Sequence, residues 1–150
     1  MATRLSETEL RAWQAFLHTH HEVVRRLDMD LQEAHGITFG EYDVLLRLAR
    51  APGHALRMGD LAERVLLSAS GITRLVERMI TKELVEREVD PSDRRAALAT
   101  LTDEGLQLVR LAARTHVRGI RQRFSGRLSD LQLRAVASAL EAIVGPHIPH

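Results

Sequence analysis

From Glu7 to Ala34 the chain contains neither glycine nor proline. Leu10, Trp13, Leu17, Val24, Leu27 and Leu31 recur at helical spacing along it. Ser6 and Glu9 form a capping box at its start. The pattern predicts one helix from about Glu7 to Ala34, roughly 40 Å long at 1.5 Å per residue. The whole chain has 150 residues, enough for one domain with a real core and too few for two full ones. One small domain cannot cover a helix of that length. Part of its apolar stripe is therefore expected to face a second copy of the chain.

The segments that follow are shorter. Thr38 and Glu41 repeat the capping-box pattern, and EYDVLLRLAR reads as a second helix with Tyr42, Leu45, Leu46 and Ala49 inward. Pro52-Gly53 ends it, and Ala55-Leu56-Arg57 suits a short strand. A third helix is expected from Asp60 to about Val65, capped by Gly59, with a turn at Leu66-Leu67. Ser68 caps a fourth helix, Ala69 to about Lys82, which buries Ile72, Leu75, Val76 and Met79. LVEREV and AALATL alternate as strands, and between them DPSDRR reads as a polar loop. Thr102 caps a fifth helix, Asp103 to about Arg123. Ser129 and Gln132 box the start of a sixth, which ends at Gly145-Pro146.

This gives a mainly α fold with a small β-hairpin. A helix pair with a tight turn is a common way to place a helix in the DNA major groove. The net charge is only +1, so any basic surface for nucleic acid must be local. The chain has no cysteine, which excludes disulfides, thiolate metal sites and thiol redox sensing. No apolar run is long enough to span a bilayer, and MATRLSETEL lacks the apolar core of a secretion signal. A soluble, cytoplasmic protein is expected.

Three blocks bear a family likeness: ITFGEYDVLLRLA, MGDLAERVLLSASGITRLVERM and LVEREVDPSDRRAALATLTDEG. With them the chain resembles the MarR (multiple antibiotic resistance regulator) family of transcription factors. The third block is the most specific, holding an Asp-x-Arg wing pattern followed by Leu-Thr-x-x-Gly. The resemblance implies a winged helix-turn-helix with long terminal dimerisation helices. Residues 1–150 would form one such domain, with dimerisation helices at about 6–35 and 103–145 and the DNA-binding lobe at about 55–101. Two departures stand out. The family's Lys-Gly-Leu-Val is here Lys82-Glu83-Leu84-Val85, which puts the helix exit and the placement of the wing in question. Gly59 stands where a Ser or Thr cap is common.

The fourth helix begins with small polar residues, Ser68, Ser70, Gly71 and Thr73, which allow its N-terminus to approach a groove. Arg74 is the candidate for guanine O6 and N7, Thr73 for a thymine methyl and Arg78 for phosphate. By the resemblance, Arg95 is the minor-groove arginine and Asp93 the residue that orients it. Arg94 suits a phosphate contact. The partner would be double-stranded DNA bound by a homodimer, and the usual role is repression.

The resemblance also implies a small-molecule effector, with Trp13, Leu17, His20, Tyr42, Leu46 and His116 as lining candidates. Phe16 shares their face of the first helix. Trp with nearby His suits an aromatic or phenolic acid, and the alternative for Trp13 is plain core or dimer packing. A metal- or pH-responsive regulator using His18, His20, His21 and His116 is the other reading; His18 and His21 have ligand spacing, but no acidic partner is evident. No metal site and no cofactor is assigned.

Charge alone favours none of this. Arg64, Arg74, Arg78, Lys82, Arg87, Arg94 and Arg95 face Glu63, Glu77, Glu83, Glu86, Glu88, Asp90 and Asp93, as on an ordinary solvated surface. An enzyme would need a nucleophile–base pair, a phosphate loop or a carboxylate cluster, and the sequence offers none. A pure protein-interaction scaffold would use only the long helices.

Overall fold

The computed structural model describes residues 4–65 and 69–145. Helix α1 spans Glu7–His35, α2 Phe39–Arg50, α3 Met58–Arg64, α4 Ala69–Thr81, α5 Asp103–Arg123 and α6 Asp130–Val144. Strands β1 Ala55–Arg57, β2 Val85–Asp90 and β3 Asp93–Leu101 form one antiparallel sheet in the order β1-β3-β2. The fold is the mainly α winged helix-turn-helix expected from the sequence.

All three capping boxes form. Ser6, Thr38 and Ser129 each accept the N3 amide, and Glu9, Glu41 and Gln132 each return a bond to the cap amide. Helix α1 closes on Gly36 in the left-handed conformation, φ 67°. Only Leu27 and Leu31 of α1 are buried; its N-terminal half lies outside the core. Helix α6 buries no residue, and Leu131 and Ile143 are each 78% exposed. The core instead gathers Leu31, Tyr42, Val44, Leu45, Leu48, Leu61, Ile72, Val76, Met79, Val85, Ala99 and Val109, where α2 meets α4, the sheet and α5.

Two local expectations are corrected. Gly59 is not the cap of α3 but its second residue. The pairing of Arg57 with Leu98 holds β1 extended up to Arg57, whose ψ of 144° then turns directly into the helix without a side-chain cap. The segment 90–95 is not a loop: β2 runs to Asp90, β3 starts at Asp93, and only Pro91 and Ser92 turn. Asp90 closes that turn, because its Oδ1 accepts the Ser92 amide at 2.9 Å and the Ser92 hydroxyl at 2.7 Å. The expected turn at Leu66-Leu67 and cap at Ser68 lie outside the described residues.

Helix α4 is fixed at its end by a buried carboxylate. Glu41 is 1% exposed. Its Oε2 accepts the Thr38 amide at 3.0 Å and the Lys82 ammonium at 2.7 Å, while Oε1 lies 3.5 Å from Arg78 Nε. Lys82 also donates to the Gly36 carbonyl at 2.9 Å. The exit of α4 then follows a Schellman pattern: the Glu83 amide donates to Ile80 O at 2.9 Å and the Leu84 amide to Met79 O at 3.0 Å. Glu83 has a φ of 60°. The geometry a glycine would favour is kept without the glycine.

Thr102 joins this exit to α5. Its hydroxyl donates to Glu83 O at 2.8 Å and accepts the Gly105 amide at 3.0 Å, and its own amide donates to Leu84 O at 3.1 Å. A Cβ on Gly105 would lie 2.2 Å from Leu84 O, so only glycine permits this approach. Further along α5, His116 packs between Tyr42 at 4.8 Å and Phe39 at 5.7 Å between ring centroids. Burial pushes its imidazole pKa down, with Asp43 opposing, and its Nδ1 is buried without a hydrogen-bond partner among the described residues.

Glu83→Gly should stabilise the fold by about 0.5–1 kcal/mol, the left-handed strain relieved exceeding the added unfolded-state entropy. The melting temperature would rise by about 2–3 °C. Glu41→Ala should cost about 1–2 kcal/mol in urea unfolding, since it removes the carboxylate half of the α2 capping box and the partner of Lys82 and Arg78, which stay solvated. His116 favours the neutral form when folded, so the unfolded chain binds the extra proton below about pH 6.5 and stability falls there. His116→Phe should flatten that part of the melting-temperature profile, whereas an unchanged slope would assign it to other histidines.

Candidate nucleic-acid interface

The buried face of α4 carries Ile72, Leu75, Val76 and Met79 at helical spacing. Packing that face leaves Ser70, Arg74, Glu77 and Arg78 exposed, with Gly71 and Thr73 half-buried beside them. Arg74 and the small residues at the N-terminal end of α4 thus share one open surface. Ser68 lies outside the described residues. Arg78 is not wholly committed to this surface: it is 55% exposed and paired to Glu41. Lys82 is drawn inward by Glu41 and Gly36.

The hairpin of β2 and β3 projects from the same lobe. Val85 and Leu101 pair at its base and are buried. Past Arg87 it leaves the core, so even Val89 is 63% exposed. Asp93, Arg94 and Arg95 open β3 at the exposed tip. Asp93 Oδ1 accepts the Arg95 backbone amide at 3.0 Å. Asp93 thereby fixes the main chain from which the Arg95 side chain extends, rather than gripping its guanidinium. A carboxylate two residues away in a strand reaches the amide more readily than the end of a long side chain pointing from the same face.

Sequence reasoning missed two residues of this arrangement. Asp90 is 6% exposed at the wing tip, and Arg57 of β1 donates to its Oδ2 at 2.6 Å. Arg57 also reaches the Ser92 hydroxyl at 3.3 Å. The Ser92 hydroxyl and amide, and behind them Arg57, hold the Asp90 carboxyl below its usual range. A signal existed for Asp90, since Asp-Pro-Ser is an Asx-turn sequence. For Arg57 there was none, because its partner lies 33 positions away.

The six residues expected around an effector divide into two groups. Tyr42 is buried, Leu46 packs on the core, and His116 contacts Tyr42 between α2 and α5. Trp13, Leu17 and His20 lie on the exposed half of α1. A single chain does not bring all six together, because the core reaches only the C-terminal end of α1. A cavity of about 570 Å³ between α1, the end of α5 and α6 takes His20, with Phe16, Val24, Phe124, Leu128, Val136 and Leu140, and none of the other five. The described residues hold no group of three or more metal-ligating His, Asp or Glu side chains, so His116 is not brought to His18 and His21. No helix among them is long and apolar enough to cross a membrane.

Comparison with known proteins agrees with this architecture. A family profile described as MarR family matches residues 35–96. The crystal structure of AbsC, a MarR family transcriptional regulator from Streptomyces coelicolor, superposes with a TM-score of 0.89 at 34% identity, covering 95% of this chain and 96% of that one. Sco3205, a MarR family regulator from the same organism solved in complex with DNA, gives 0.90 at 30% identity over 96% and 90% of the two chains. The regulator MhqR of Bacillus subtilis is 32% identical over 75 residues, half the length of each protein. The whole-chain similarity to AbsC and Sco3205, on a fold with an open α4 face and an arginine-tipped wing, places this chain in the MarR family of DNA-binding transcriptional regulators.

Proposed function

We propose that the chain acts as a homodimeric repressor that binds a pseudo-palindromic operator. The observation that carries this reading is the placement, on one lobe, of the open α4 face bearing Arg74 and the wing tip bearing Arg94 and Arg95. Ser70, Gly71, Thr73 and Arg74, with Ser68 before them, would approach the major groove. Arg95 would enter a narrow minor groove, its backbone held by Asp93, and Arg94 and Arg78 would meet phosphate. Sco3205, at 30% identity, is a relative seen with DNA.

Pairing is supported by the apolar surface left outside the core. Leu10, Trp13, Phe16 and Leu17 on α1, and Leu131, Leu140 and Ile143 on α6, are all exposed. A patch of that kind is an association surface. Residues of about 6–35 and 103–145 would then be the dimerisation helices, and residues of about 55–101 the DNA-binding lobe. The two half-sites would lie about one helical turn apart, roughly 10 bp. A small-molecule effector of aromatic type would act against the Tyr42, Leu46 and His116 group, where movement of α5 relative to α2 is felt by the lobe.

A mobility-shift series on genomic fragments tests the reading. Binding should weaken steeply as salt rises. Arg74→Ala and Arg95→Ala should each cost about 1–3 kcal/mol, and only Arg74→Ala should strongly relax sequence preference at its base pair. Wild-type binding by both variants would sink the site assignment.

A further inference from the structure

Toward its tip the wing has little core beneath it: Glu88 and Val89 on β2, and Asp93, Arg94 and Arg95 on β3, are exposed, and Ala96 to Leu98 are only half-buried. A two-stranded hairpin with so little buried surface is marginally stable by itself. Asp90 is the exception, buried at the tip and bonded to Ser92 and Arg57. Arg57 pairs with Leu98, and Leu98 with Glu88, so the Arg57 side chain spans the central strand to reach Asp90 on the far one. That distance is about two strand spacings, roughly 10 Å. Arg57 is also the residue from which α3 starts. A single side chain therefore ties the beginning of the helix-turn-helix to the turn that carries Asp93, Arg94 and Arg95.

We propose that Arg57, acting through Asp90, is a positioning residue for minor-groove reading: it sets where Arg95 stands relative to α4. This inference rests on the proposed minor-groove role of Arg95. Without the tie the hairpin pivots at its buried base, Val85 and Leu101, and the tip sweeps over positions that a groove contact cannot use. Site geometry of this kind must be held to about half an ångström. The carboxyl of Asp90 is held in its charged form by Ser92 and Arg57, so the tie persists at neutral pH.

The test uses a duplex selected from a random-sequence pool by the wild-type protein. It is made with A·T, G·C or inosine·C pairs at the flanking minor-groove positions. Inosine·C keeps the major-groove pattern of G·C and lacks its minor-groove amino group. Wild type should bind the A·T and inosine·C duplexes about tenfold tighter than the G·C duplex. Arg57→Ala and Asp90→Asn should each bind all three within about twofold, and Arg95→Ala should cost about tenfold in wild type but under about twofold in the Arg57→Ala background. Base-pair changes beneath α4 should keep their wild-type penalties in Arg57→Ala, a result that general unfolding would not give. Arg57 is half-exposed, so its variant decides the matter should Asp90→Asn fail to fold. Retention of the wild-type inosine·C preference by Arg57→Ala, with a full Arg95→Ala loss, overturns the positioning role alone. Retention of that preference by Arg95→Ala in the wild-type background overturns the wing reading, and this inference with it.

Discussion

The carboxylate of Glu41 holds together parts of the chain that are otherwise free to move. It closes the first turn of α2 through Thr38, and it binds Arg78 on α4 and Lys82 just past its end. The orientation of α4 is thus referred to α2 by an ion pair as well as by apolar packing. Apolar packing tolerates small slides and rotations, whereas a hydrogen-bonded carboxylate accepts few geometries. The net stability of such a pair is modest, because both charges lose water to make it. Its consequence is positional. It also commits the Lys82 ammonium to Glu41 and the Gly36 carbonyl, although the residue stays exposed, and on α4 itself the cations are Arg74 and Arg78.

A second joint carries that position onward. Glu83, Leu84, Thr102 and Gly105 share three hydrogen bonds and one contact that a side chain at position 105 would block. The end of α4, the base of β2 and the start of α5 therefore form one rigid corner. The Leu-Thr-x-x-Gly pattern has a physical meaning here: threonine bridges two backbone segments and glycine lets them touch. A displacement of α5 cannot be absorbed at this corner. It must move α4 and the wing together, or break the bonds of Thr102. His116, farther along α5 and packed on Tyr42 and Phe39, is a second point where α5 is registered against α2.

What could be read from the sequence was local. The capping boxes at Ser6, Thr38 and Ser129 involve residues three apart, and the helices begin where those boxes place them. The inward residues of α4 followed from helical spacing. Glu83 raised a real question, since a non-glycine residue in the left-handed region is strained; the Schellman bonds and Thr102 show what compensates. What was not legible depends on distant partners. Glu41 meets Lys82 across 41 positions, and Arg57 meets Asp90 across 33. The start of β3, Asp93 to Arg95, reads as loop in the sequence because a strand that leaves the core has polar residues on both faces, and β2 is displaced by only one residue from LVEREV. The stripe of Trp13, Leu17 and His20 was visible, but periodicity cannot say whether a stripe faces its own core or another surface.

A net charge of +1 constrains how such a lobe can recognise DNA. A strongly basic protein holds any duplex through many phosphate contacts, and loose placement of each contact costs little. Here Glu86 and Glu88 flank the wing and Glu77 sits on the open face of α4, so unspecific attraction is weak and close approach in a wrong register is penalised. On the proposed site, affinity then depends on a few arginines reaching their targets at the same time. Each long side chain that must be immobilised on binding costs about 0.5–1.5 kcal/mol. A backbone already fixed by Asp93, a turn already closed by Asp90 and a helix already set by Glu41 leave only the side chains to be ordered. Asp90 and Asp93, which lower the net charge of the lobe, and Glu41 beside it on α2 therefore also prepare the few cations that remain.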